Sequence, residues 1–395
     1  MTTPALEDLK RVTAADVYKG GVPAGTLTRD EQGTITFRYL EGYAGDPVAS
    51  TLPVAQDPVT AAGGGLPPFF SGLLPEGHRL TVLRTAAKTS ADDELTLLLA
   101  VGTDAPGDVQ VVPAGDRLRT EAPVATDDPQ KLDFAVLAGV PDRNALPGVQ
   151  AKASASMVNV PVHLQEHSAL LKLDPPDHPH RVVNEALHLR HAAALGIPVS
   201  EHSVVHDRHG RAGLLVRRFD RTADRSGERA RLALEDAGQA LGIYPAQKYN
   251  VTTEDVIDVL AGLTPHRLTA TRNLYLQFLY AWLTGNGDLH AKNVSVLQSL
   301  SGRWSIAPVY DVPCTALYED MTMALPVDGR TRALRRRHWD ALAATIGLPQ
   351  RAARSAMSVA MTAAAKVDLS ALPFTGSPLK GAERELRHRR YELEG

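Results

Sequence analysis

Gly285-Asn286-Gly287-Asp288-Leu289-His290-Ala291-Lys292-Asn293 is the stretch on which the fold turns. Asp288 and Asn293 have the separation of the D-L-x-x-x-N loop used in phosphoryl transfer. That chemistry needs a carboxylate to orient the attacking hydroxyl and accept its proton. It also needs a neutral oxygen donor, one loop turn away, to hold Mg²⁺ on the phosphates. Magnesium takes hard oxygen ligands. A second carboxylate is then expected at the end of a nearby strand, and Trp304-Ser305-Ile306-Ala307-Pro308-Val309-Tyr310-Asp311 supplies Asp311 there as the main metal ligand. The competing reading of these residues is that Gly-Asn-Gly-Asp is a turn and Asp311 a helix cap.

Lysine placement adds to the first reading. Between residues 132 and 365 arginine is frequent, yet the lysines are only Lys152, Lys172, Lys248 and Lys292, each beside a candidate motif. Lys172 ends an apolar run about twenty residues after Pro147-Gly148-Val149-Gln150-Ala151-Lys152. A glycine turn that covers phosphates, followed by a strand lysine that contacts them, has this order. Lysine presents a mobile point charge where arginine would impose a fork. Glu185, on the helix predicted to follow, is placed to pair with Lys172; the alternative is a solvated lysine and a surface glutamate.

The rest of the chain bounds the answer. It has 395 residues, 44% hydrophobic and 22% charged, with a formal net charge of −3. That length suits two or three domains with a cleft between them, and the near-neutral balance argues against a surface that coats nucleic acid. Cys314 is the single cysteine, so no disulfide framework exists within the chain. The first residues lack the basic-then-apolar order of a secretory signal, and no apolar run approaches the ~20 residues that span a bilayer. A cytoplasmic protein without a membrane segment is expected.

Residues 13–112 read as a compact β-rich unit, with turns at Gly20-Gly21, Gly25 and Gly33 between alternating runs such as Thr34–Tyr39. The polar stretch Pro113–Gln130 has the composition of a connection. Strands are expected at Leu170-Leu171-Lys172 and Gly213–Val216. A helix is expected over Val182–Leu195, with Val183, Ala186, Leu187 and Leu195 on its apolar face and Gly196 and Pro198 stopping it. From about residue 229 the pattern turns helical, with Leu274, Phe278 and Trp282 on one helix face, and the charged end Glu383–Gly395 is expected to fray.

Taken together, these strings resemble the HipA-type serine/threonine protein kinases, the toxin halves of bacterial toxin–antitoxin pairs. Phe69-Phe70-Ser71-Gly72-Leu73-Leu74-Pro75-Glu76-Gly77 and Val101–Asp108 are similar to that family's amino-terminal part. Gly148–Lys152, Leu171-Lys172, Asn184-Glu185, Arg218-Phe219-Asp220-Arg221, Glu235-Asp236, Gln239, Lys248-Tyr249, Gly285–Asn293 and Tyr310-Asp311-Val312 follow in the family order. The resemblance implies an α+β fold: a bilobal protein-kinase-like body with a small β-rich amino-terminal domain and a mainly helical carboxyl-terminal lobe. The expected boundaries are 1–130 for that domain and its linker, 131–221 for the upper lobe and 222–395 for the helical lobe.

The resemblance also implies roles. Asp288 would be the catalytic base, Asn293 and Asp311 the Mg²⁺ ligands, and Lys172 the phosphate-contacting lysine held by Glu185. ATP would lie under Gly148, Val149, Gln150 and Lys152, with adenine against the hinge backbone from Arg217 to Phe219 and ribose at Asp220. His290 would either contact phosphate or brace the loop. The expected partners are a protein substrate and a HipB-like helix-turn-helix antitoxin, with DNA reached only through the antitoxin. Ala145 stands where family members often carry an autophosphorylated serine, which puts that form of self-inhibition in doubt; Ser154 and Ser156 lie close downstream.

Other signals are discounted. Glu185-x-x-His188-x-x-His191 has a di-iron spacing but no second copy. Arg335-Arg336-Arg337-His338 reads as a solvated helix face with Trp339 tucked inward. The alternatives are a small-molecule kinase of the same fold and a silent antitoxin-binding corepressor.

Overall fold

The structure is a computed structural model that describes residues 6–54, 57–118, 128–139, 157–163, 168–175, 178–223 and 229–394. The glycine turn with Gly148, Val149, Gln150 and Lys152 lies outside the described residues, as do Ala145, Ser154, Ser156 and residues 119–127 of the polar connection.

The amino-terminal unit is an antiparallel sheet of β1 (Ala14–Lys19), β2 (Val22–Arg29), β3 (Ile35–Tyr39), β4 (Val59–Ala61) and β5 (Val109–Pro113), in the order β4-β3-β2-β1-β5. Gly20 and Gly21, both at positive φ, close the β1–β2 hairpin, as a two-residue turn requires. One face of the sheet is covered by α1 (Pro68–Gly72), α2 (Gly77–Ala87) and α3 (Glu94–Val101), so the unit is more helical than its glycine turns suggest. Its own core includes Val17, Leu27, Phe37, Phe70 and Leu98.

After α4 (Phe134–Gly139), the upper lobe is an antiparallel sheet of β6 (Val158–His163), β7 (Ser168–Leu173), β8 (His202–His206) and β9 (Ala212–Arg217), in the order β6-β7-β9-β8. Helix α5 (Arg181–Ala192) packs on it. The helix stands where the sequence placed it and Gly196 closes it at positive φ. Its fully buried face, however, is Val182, Ala186 and Leu189 together with Asn184, Glu185 and His188, while Val183 and Leu187 are half-buried. Three polar side chains inside a helix face signal that the face serves chemistry as well as packing.

The lower lobe begins with one short β-pair, β10 (Arg221–Ala223) with β11 (Arg229–Arg231), and with β12 (Leu234–Asp236), which forms a three-stranded sheet with β13 (Ser295–Gln298) and β14 (Trp304–Ile306). The helices are α6 (Ala237–Ala240), α7 (Thr253–Gly262), α8 (Arg267–Thr284), α9 (Arg336–Thr345), α10 (Gln350–Ala364) and α11 (Gly376–Glu394). Helix α8 is buried on every side from Leu274 to Thr284, not on one face, which marks it as the central helix of the lobe. A parallel bridge, with Ser200 N donating to Val309 O and Val309 N to Pro198 O, ties the strand before Asp311 to the upper lobe.

The charged carboxyl end does not fray. Within α11, Arg389 is 1% exposed, with its guanidinium 3.8 Å from the Trp282 ring centroid, and it donates to Trp282 O and Met321 O. Arg335, the residue before α9, pairs with Glu392 of α11 at 2.9 Å. Trp339 is fully buried, as expected. No helix among the described residues is long and apolar enough to cross a membrane.

Candidate active site

A cleft opens between the two lobes, enclosing about 890 Å³ of space that is continuous with open solvent. Leu170, Lys172 and Val216 line it from the upper lobe, Arg217 to Asp220 from the hinge, and Asn293, Ser295 and Asp311 from below. Gly72, Leu73 and Pro106 of the amino-terminal unit form a third wall. Across the cleft mouth, the Phe219 and Tyr310 rings stand 5.6 Å apart.

The loop beneath the cleft is built by its own side chains. Gly285 ends α8 at positive φ, where an added Cβ would meet Ala316 Cβ at 2.9 Å. Asn286 Oδ1 accepts the Asp288 amide at 2.9 Å, and Asn286 Nδ2 reaches Asp311 O at 3.4 Å. Gly287 N donates to Thr315 Oγ1 at 2.8 Å, and Asn293 Nδ2 donates to Asp288 O at 2.8 Å. Asp288 is thereby fixed from both sides, 4% exposed, with the Tyr249 hydroxyl donating to its carboxylate at 3.3 Å. Burial, joined by the Asp311 charge, pushes its carboxyl up to about 7; Arg181, Lys248 and the Tyr249 hydrogen bond pull against that rise.

Lys172 on β7 donates to both oxygens of Glu185, at 2.7 and 3.0 Å, and to Asp311 Oδ1 at 3.2 Å. Burial opposes its charge, but the Asp311 and Glu185 carboxylates outweigh it and its ammonium is held above the usual range. Burial pushes the Glu185 carboxyl up against the pull of Lys172. Asp311 adopts φ +54°, a left-handed conformation that costs a non-glycine residue energy and is tolerated where neighbours over-determine it.

The remaining sequence-predicted residues fall differently. Asp220 borders the cleft, but its carboxylate accepts from Arg218 at 3.1 and 3.0 Å, from Arg221 at 2.7 Å and from Gly107 N at 2.9 Å. Burial would raise its pKa, yet the two arginines hold it far below the usual carboxylate range. The side chain expected at the ribose is thus also the anchor of the hinge to the amino-terminal unit. His290 does not line the cleft and is 1% exposed; its Nδ1 accepts the Lys292 amide at 3.2 Å, a bracing contact, while its Nε2 lies 3.9 Å from Asp288 Oδ1. Burial and two nearby lysines keep the ring neutral. Cys314 is buried, which pushes its thiol up to about 11, so no reactive thiolate arises. Among the described residues, Glu185, His188 and His191 form no metal cluster.

Two features escaped the sequence reading. Lys248 and Lys292, noted there only as lying beside candidate motifs, reach the amino-terminal unit: Lys248 Nζ pairs with Glu76 at 2.6 Å, and Lys292 Nζ donates to Gly72 O at 2.7 Å. Gln239 Nε2 donates to Phe69 O, and Ser50 gives Glu235 two hydrogen bonds. These partners lie far apart along the chain, so local spacing carried no signal. Asn286 did stand in the decisive string, where its place two residues before Asp288 is the signature of a side chain that caps the next turn.

Residues 15–112 match the HipA N-terminal domain and residues 144–367 the HipA-like C-terminal domain. The chain belongs to the HipA family of kinases. Among relatives of this HipA-type kinase, Y4mE of Sinorhizobium fredii is 30% identical over 81% of this chain and 82% of its own length. The serine/threonine-protein kinase toxin HipA of Shewanella oneidensis is 28% identical over 78% of this chain and 77% of its own. The HipA fold itself matches a solved structure from Shewanella oneidensis, a complex of HipA, HipB and operator DNA, with a TM-score of 0.74 at 22% identity, covering 96% of this chain and 97% of that one.

Proposed function

We propose that the protein is an ATP- and Mg²⁺-dependent serine/threonine kinase that phosphorylates a hydroxyl of another protein. The observation that carries this reading is the convergence of Lys172, Asn293 and Asp311 on one cleft, with Asp288 fixed behind it by Asn286 and Asn293. Lys172 would contact the phosphates while Glu185 keeps its ammonium in place. The hinge from Arg217 to Phe219 would face adenine.

The donor set fits magnesium. Asp311 offers a carboxylate and Asn293 an amide oxygen, and both line the cleft. Mg²⁺ binds in such places through one or two carboxylates, taking its other ligands from phosphate and water. When bound it would neutralise charge on the leaving phosphates. Asp288, with a carboxyl poised near neutrality, takes the acceptor hydroxyl's proton as that oxygen bonds to the transferred phosphorus and the bond to the bridging oxygen breaks.

A growth-arresting role under a helix-turn-helix antitoxin is the partner reading, supported by the fold match to a HipA held with HipB on DNA. DNA would be reached through that antitoxin. Incubation with γ-labelled ATP, Mg²⁺ and a cell extract tests the proposal. Label entering an extract protein with the wild type, and none with Asp288→Asn, is expected. Label in a small molecule, or equal labelling by the variant, overturns it.

A further inference from the structure

Tyr249 follows the short turn Pro245–Gln247 and stands half-buried against the loop that carries Asp288. Its hydroxyl donates to Asp288 Oδ1 at 3.3 Å. The ring is held from two sides: His290 meets it edge to face with 5.1 Å between centroids, and the Lys248 ammonium lies 5.5 Å from its centroid. Lys248 is itself fixed, its side chain by Glu76 at 2.6 Å and its carbonyl by the Ala291 amide, which donates to it at 3.3 Å. A phenol anchored through both ring and backbone delivers its hydroxyl to one point.

Among the described residues the Asp288 carboxylate has no second hydrogen-bond donor. His290 Nδ1 accepts the Lys292 amide, so the neutral ring carries its proton on Nε2, yet that nitrogen is 3.9 Å from Oδ1 and beyond hydrogen-bond reach. Asn286 and Asn293 hold the Asp288 amide and carbonyl, which fixes its backbone and leaves the carboxylate able to turn. Tyr249 supplies the missing restraint by engaging one oxygen. Burial and the Asp288 charge push the phenol far above its usual range, so the hydroxyl stays a donor.

We propose that Tyr249 is a positioning residue for phosphoryl transfer: by holding Oδ1 it presents Oδ2 of Asp288 to the acceptor hydroxyl. As the acceptor oxygen bonds to phosphorus and the bond to the bridging oxygen breaks, the hydroxyl proton passes to Oδ2. The inference rests on the kinase reading and divides the work of the base between its two oxygens. Tyr249 does not line the cleft, so its hydroxyl serves the transition state and leaves nucleotide binding untouched.

Label entering an extract protein from γ-labelled ATP and Mg²⁺, followed over a range of ATP concentrations, tests this with Tyr249→Phe, which keeps the ring and deletes only the hydroxyl. The maximal rate should fall by about tenfold, the scale of one lost hydrogen bond to a charged group, while the ATP concentration at half rate and the melting temperature stay as in the wild type. Equal maximal rates overturn the proposal. So does a slower rate accompanied by weaker ATP binding or an earlier melt, because the contact then only supports the fold. Absence of transfer by the wild type is failure of the kinase reading itself, and the inference falls with it.

Discussion

Lys172 Nζ stands 3.2 Å from Asp311 Oδ1, a residue 139 positions away, while holding Glu185 at 2.7 Å. One ammonium thus joins the upper sheet, α5 and the metal-ligand candidate. Lys172→Met leaves Glu185, fully buried, without its ion-pair partner. Breaking a buried pair from one side costs about 3–5 kcal/mol. Urea unfolding should show that loss, together with abolished phosphoryl transfer, and Glu185→Gln should cost less because its amide oxygen still accepts from the lysine. An unchanged urea midpoint for Lys172→Met would show that the triad is not formed in solution.

Glu76 ties the amino-terminal unit to the floor of the cleft between the lobes. It pairs with Lys248, 2% exposed, at 2.6 Å, and lies 3.7 Å from Lys292 Nζ, next to the cleft-lining Gly72 and Asn293. Glu76→Gln should loosen this wall and weaken ATP–Mg²⁺ binding by about tenfold, near 1.4 kcal/mol. Calorimetry on the two proteins decides it, and equal affinities would mean that the wall is a bystander.

Much of this was legible in the sequence because the decisive contacts are local. Gly285 to Asn293 closes on itself through side chain-to-backbone bonds within a few residues, so its spacing alone carried the loop that joins Asp288 to Asn293. The strand at Lys172 and the helix at Glu185 followed from apolar periodicity. What periodicity could not show was which partner a charge chooses across the chain. Lys248 and Lys292 stand beside candidate motifs in the sequence, and only the fold shows Glu76 and Gly72 opposite them. Asp220 likewise reads as a free hinge carboxylate until Arg218, Arg221 and Gly107 N converge on it.

Arg389 inverts the expectation for the charged end of the chain. A run of charge normally marks solvent, but here one guanidinium is stacked on Trp282, closes two backbone carbonyls and pairs with Glu385 at 2.9 Å. Arg389→Ala strands both carbonyls and removes the cation–π contact, a loss of about 3 kcal/mol from hydrogen bonds to a charged donor and the ring contact. Arg390→Ala, one residue on, should cost far less. Thermal melts of the two variants give the comparison, and matching melts would mean α11 is held by its leucines alone.

His188 sets a direction for acid stability. Its Nδ1 donates to Asn184 O at 2.8 Å, its Nε2 has no partner, and burial pushes its pKa down to about 4. The unfolded chain titrates this ring near 6.5, so between about pH 4 and 6.5 the unfolded state binds a proton that the folded state refuses. Stability is therefore complete above about pH 6.5 and falls as the pH drops, by about 3 kcal/mol once the pH is below 4. His290, also held neutral by burial, acts in the same direction and is present in both proteins of the comparison. In His188→Gln the dependence of unfolding free energy on pH should flatten by up to about 1.4 kcal/mol per pH unit inside that window. Parallel curves for the wild type and His188→Gln would show that this imidazole is not the buried neutral ring of the structure.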